Sequence, residues 1–131
     1  MTEFFERDSD FLHGDGWRVG WLPGKLPYCA LVGGDTWAFE LTEAEWRDFV
    51  AGLHHLAAAM RMAATELMAL ETLTLERNTE LLSLTMTGLV GQCELHVQLR
   101  SERLAEGLWA ASAVPKLVEA VLHLEMRSGV I

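Results

Sequence analysis

The spacing of hydrophobic residues along this chain switches between two periods. In the stretch Trp17 to Trp21, apolar side chains alternate with Arg18 and Gly20, so Trp17, Val19 and Trp21 share one face of a strand, which "LPGKLP" then breaks. Next come "YCALV", a "GGD" turn and "TWAFEL", where Trp37, Phe39 and Leu41 point one way; this predicts a hairpin. At Thr42 the period changes to 3.6. Thr42 and Glu45 form a capping box, and Trp46, Phe49, Leu53, Leu56, Met60, Ala63 and Leu67 continue in steps of three and four. A helix ending near Ala69 follows, roughly 40 Å long at ~1.5 Å per residue.

Alternation then returns in "TLTLER", "LLSLTMT", "CELHVQLR" and "LAEGLWAA", whose lengths suit an antiparallel meander. Ser112 and Pro115 mark the entry to a last helix with Leu117, Val121 and Leu124 facing inward. The order is three strands and a helix, then four strands and a helix. Trp37–Leu56 aligns with Trp109–Leu124 when the first copy is given four extra residues, and this sets "FVAGLHHL" on "LVEAVLHL". The chain therefore reads as two diverged strands-then-helix units. The expected fold is a single α+β domain over residues 16–131, a twisted antiparallel sheet with a long central helix and a C-terminal helix, preceded by an acidic arm over residues 1–15. Its expected core is Trp37, Phe39, Trp46, Phe49, Leu53, Leu56, Leu84, Leu95, Val97 and Trp109.

Composition narrows the functions. The chain has 131 residues, half of them hydrophobic and 22% charged, which suits one packed domain. Its formal net charge of −9 repels nucleic-acid phosphates and anionic membranes at long range. The start lacks the basic and apolar regions of a signal peptide, and no apolar run is long enough to span a bilayer, so a cytoplasmic location and no membrane contact are expected. Cys29 and Cys93 have no zinc-type spacing and read as buried thiols.

No constellation of residues announces chemistry. His54 and His55 stand about 100° apart on their helix, so they cannot share an ion, and neither has a carboxylate within one turn. His123 has Glu119 one turn earlier, the spacing of a surface ion pair, and His96 sits with Glu94, Gln98 and Arg100 on a polar strand face. There is no GxSxG elbow, no phosphate-binding glycine loop, and "GDGWRVG" precedes a strand instead of opening a helix. The expectation is no catalytic, cofactor-binding or metal site. If the first strand is an edge, Trp17 and Trp21, with Arg18 between them, are the candidate contact surface.

The segments "GWRVGWLPG", "ALVGGDTWAFELTEAEWRDF" and "EGLWAASAVPKLVEAV" resemble a cyanobacterial family catalogued as domain of unknown function 1818, from Gly16 to about Leu124. The resemblance implies a cyanobacterial cytoplasmic protein, and it brings no activity, substrate or catalytic residue. It also implies a fold grouped with the Whirly-type single-stranded-DNA-binding transcriptional regulators, which are built from two strands-then-helix repeats. Those proteins use a lysine-rich motif, whereas this chain has only Lys25 and Lys116, both outside the expected strands. Arg18, Arg77, Arg100 and Arg103 are the remaining source of a positive strip. The expected function is a non-enzymatic acidic module that binds an unidentified protein and self-associates through a sheet edge or helix face. A single-stranded nucleic-acid-binding regulator is the alternative. A third reading, a ligand binder or enzyme assembled across the sheet, would be marked by a deep polar pocket at His96 or Cys93.

Overall fold

Two sheets, not one, divide the strands of this chain. The computed structural model describes residues 10–66 and 70–128; the rest of the expected arm, and Leu67 at the foot of the helix stripe, lie outside the described residues. The first sheet runs in the order β1 (Asp10–Gly14), β2 (Trp17–Trp21), β3 (Tyr28–Gly33) and β4 (Ala38–Thr42), with every neighbouring pair antiparallel. The second is β5 (Thr72–Asn78), β6 (Leu82–Leu89), β7 (Gln92–Leu99) and β8 (Glu106–Trp109), again a plain antiparallel meander. Helix α1 (Glu43–Ala64) follows the first sheet, and α2 (Val114–Ser128) the second.

β1 is one strand more than the sequence pattern announces. The last residues of the expected arm pair with β2 in the register Asp10↔Trp21 to Gly14↔Trp17, joined by Asp15 and Gly16. Gly16 has φ +83°, which a side chain would resist, so Asp-Gly closes a tight hairpin. The acidic character of the arm hides this strand, because Leu12 is its one inward apolar residue.

The long helix begins as its cap dictates. Thr42 Oγ1 accepts the Glu45 N–H at 3.2 Å, and the Glu45 carboxylate accepts the Thr42 N–H at 2.9 Å. Trp46, Phe49, Leu53 and Leu56 are buried along its stripe, and Thr65 caps the end, earlier than the hydrophobic pattern suggests. Helix α2 opens with Pro115 in its first turn, where the missing N–H costs nothing, and buries Leu117, Val121 and Leu124.

The helices are exchanged between the units. α1 lies mainly against β5 and β6, and α2 chiefly against β2. Each sheet thus gains its apolar cover from the other half, and one core joins Val19, Val32 and Leu41 of the first sheet to Leu84, Leu95 and Val97 of the second. Two tryptophans at aligned positions of the units meet across the boundary between the sheets, Trp109 inside the core and Trp37 at its rim. Trp109 donates its indole N–H to Gly33 O at 2.8 Å, Trp37 donates to Leu108 O at 3.3 Å, and the rings lie 5.0 Å apart. The exchange is reciprocal, as two related halves facing each other require. Trp109 is fully buried, whereas Trp37 and Phe39 are only partly buried, at the rim of the core rather than inside it.

Candidate functional site

The first strand of the sequence pattern, β2, is not an edge, since β1 covers it. Trp17 and Trp21 are therefore buried, at 9% and 8% exposure, and only Arg18 of the expected contact trio faces outward. The reason is the alternation itself: residues that share the inward face with Val19 cannot also share a surface with Arg18. Trp21 stacks on Trp46 with centroids 5.8 Å apart, so it belongs to the core.

The outer face of the first sheet carries the residues left over. Across it the register aligns Phe11, Gly20, Leu31 and Glu40 in one row and His13, Arg18, Gly33 and Ala38 in the next. A Cβ at Gly20 would lie 2.5 Å from Phe11 Cε1, so the ring of Phe11 rests directly on the Gly20 backbone. Phe11 remains 59% exposed, and the loop after β2 presents Leu26 at 77%. Lys25 and Glu40 pair at 3.1 Å beside this strip. Among the described residues β1 ends the sheet, and no described strand lies along the outer side of its backbone.

On the opposite side of the same hairpin, β1 and β2 form a cleft with α2. Its volume is about 360 Å³, and Leu12, His13, Trp17, Lys116, Glu119, Ala120 and His123 line it. Spacings of three and four put Lys116, Glu119, Ala120 and His123 on one stripe of the helix. Lys116 Nζ and Glu119 Oε1 are 3.7 Å apart and both well exposed. The expected Glu119 and His123 neighbours are thus set together, at the mouth of a groove that sequence alone does not show.

His54 and His96 find structural partners. His54 Nε2 lies 2.8 Å from Glu125 Oε1, a contact between α1 and α2 across 71 residues, with Glu125 buried and His54 about half exposed. His55 is exposed. His96 Nε2 lies 2.7 Å from Glu106 Oε1 on the outer face of the second sheet. The cavity at Cys93, about 130 Å³, is lined by Met60, Met86, Val114 and Pro115 and is apolar. Among the described residues no group of three His, Cys, Asp or Glu side chains is placed to hold a metal ion. Burial pushes the Cys29 thiol up from its ordinary value, with the Glu43 carboxylate adding to the effect against a backbone hydrogen bond, and burial alone pushes Cys93 up.

Most of the arginines proposed for a positive strip are committed. Arg18 donates to Gly34 O and Trp37 O at 2.9 and 3.0 Å, and Arg100 to Thr79 O at 3.1 Å. Arg103 donates to Glu40 O and to the Glu45 carboxylate, both at 2.6 Å, with its guanidinium 4.7 Å from the Tyr28 ring centroid. Arg77 Nε is buried with no hydrogen-bond partner. No described helix is long and apolar enough to cross a membrane.

Comparison with known proteins gives relatives without an assigned activity. The sequence profile of a family described as a domain of unknown function, DUF1818, matches residues 12–124. No curated protein matches the chain. Among solved structures it is similar to the crystal structure of a protein of unknown function from the DUF155 family of Prochlorococcus sp. NATL2A. The two share 26% identity over 88% of this chain and 98% of that one, with a TM-score of 0.83.

Proposed function

This chain belongs to the DUF1818 family of unknown function, and we propose that it works as a non-enzymatic protein-binding module whose contact surface is the outer face of the β1–β2 hairpin. The observation that carries this reading is the exposed Phe11 on an edge strand. An aromatic ring that is 59% exposed, flanked by Arg18 and Leu31 and continued by Leu26, gives an apolar anchor with a polar rim. The side of β1 that no described strand covers offers an extended partner segment a row of main-chain donors and acceptors. Trp17 and Trp21 support the surface from behind.

A nucleic-acid reading is favoured by the two strands-then-helix units, the order that the resemblance to Whirly-type regulators implies. The net charge of −9 and the engagement of Arg18, Arg100 and Arg103 with main-chain carbonyls weigh against it. Affinity capture from native lysate, with and without nuclease, separates the two. A nuclease-resistant partner that is lost with Phe11→Glu is the expected result. Saturable sub-micromolar binding of single-stranded oligonucleotides, weakened by Arg18→Glu in a fluorescence-anisotropy titration, replaces protein binding with the regulator.

A further inference from the structure

We propose that the cleft between the β1–β2 hairpin and α2 is a binding site for a small aromatic carboxylate. At about 360 Å³ it falls in the lower part of the range of small-molecule pockets and holds a single ring with its substituent. Its apolar surface is Leu12, Trp17 and Ala120, an indole beside a small side chain, which lets a flat ring lie between strand and helix.

The donors around that floor point to a monoanion. Trp37 and Trp109 both spend their indole N–H on a carbonyl, whereas Trp17 makes no such bond to any described residue and its nitrogen is not sealed from solvent. Lys116 supplies a full cation, and His123 stands two turns further along the same helix stripe. The one carboxylate among the described lining residues, Glu119, is already beside Lys116, at a separation of 3.7 Å that leaves the ammonium free to take a second oxygen. In a chain with a net charge of −9 and only two lysines, the described lining of the cleft sets Lys116 against a single carboxylate, Glu119.

The position of Lys116 is itself informative. It occupies the first turn of α2, which contains no acidic residue, and there a cation opposes the helix dipole. A lysine with only a structural task is better placed at the other end. An anion paired with the ammonium offsets that conflict. One permanent cation matches one carboxylate better than a doubly charged phosphate. The site lies on the opposite side of the hairpin from Phe11, so it stands or falls independently of the protein-binding surface.

The test is a ¹H–¹⁵N NMR titration of the full chain with benzoate, using benzamide as its uncharged isostere. Benzoate should shift the assigned Trp17 indole resonance saturably and bind at least roughly fivefold more tightly than benzamide. Lys116→Gln, a change at an exposed side chain, should lower benzoate affinity roughly tenfold and leave benzamide unaffected. The proposal is overturned if benzoate leaves the Trp17 resonance in place, if benzamide binds as tightly, or if Lys116→Gln binds benzoate like the parent chain.

Discussion

The two units of this protein solve the same packing problem and then part company on their outer faces. Both inner faces are apolar, each is covered by the helix of the other unit, and Trp37 and Trp109 exchange hydrogen bonds between them. The outer face of the first sheet carries Phe11, Gly20, Leu31 and Gly33. That of the second carries Thr74, Thr85 and Thr87, with Glu94, His96 and Gln98 on the neighbouring strand. A shared core restrains both inner faces at once, whereas an outer face answers only to solvent and to whatever binds it. Difference between the units is therefore the place to look for function, and it falls at the first hairpin. The first face also carries His13, Arg18 and Glu40, and the second an exposed Leu108 opposite His96, so the difference lies in the aromatic ring of Phe11, more exposed at 59% than Leu108 at 48%.

The comparison breaks most readily at the centre. Trp109→Ala should cost about 3 to 5 kcal/mol, since it empties a fully buried site and strands Gly33 O. Trp37→Ala, at the aligned position but on the rim, should cost less than half as much. Equal shifts in the urea midpoint would show that the two positions are equivalent and that the rim description is wrong. Next in size is the tie between the β7–β8 loop and the first unit: Arg103→Ala leaves the buried Glu45 carboxylate without its guanidinium and should cost about 1 to 3 kcal/mol. Arg103→Lys should recover only part, because one ammonium cannot reproduce the fork to Glu40 O and Glu45.

Much of this architecture was legible in the sequence, because local chemistry encodes local structure. The capping box at Thr42 and Glu45, the stripe from Trp46 to Leu56 and the alternation of β5 to β7 appear where the pattern puts them. β1 was missed although Asp15-Gly16 between two short runs is a hairpin signal, since the surrounding carboxylates suggested an arm. The exchange of helices was not legible: a periodic stripe says which face is buried, not what buries it. The same limit hid the cleft, which brings Leu12 and Trp17 to residues of α2 about a hundred positions away. It also hid His54 against Glu125, 71 residues away. His54→Ala should cost about 1 kcal/mol, the worth of a hydrogen bond to a buried carboxylate, and His55→Ala close to nothing. Neither change should alter zinc content by elemental analysis, and loss of stoichiometric metal would reopen the question of a site.

The smallest expected effect distinguishes the units by one thiol each. Burial raises Cys29 and Cys93 above the ordinary value of 9.0, and Cys29 is raised further by Glu43. A neutral thiol held in the fold ionises more readily once the chain opens. Its contribution to stability is therefore complete below pH 9.0 and is lost as pH rises through the higher folded value. Urea midpoints measured from about pH 8 to about pH 10 should fall, and Cys29→Ala or Cys93→Ala should each remove part of that slope. Glu43→Gln should lessen the part that belongs to Cys29 and leave that of Cys93 as it was, because only Cys29 feels the carboxylate at the start of α1. If Glu43→Gln changes both slopes alike, the cause lies in a general loosening of the helix and not in the charge beside one thiol.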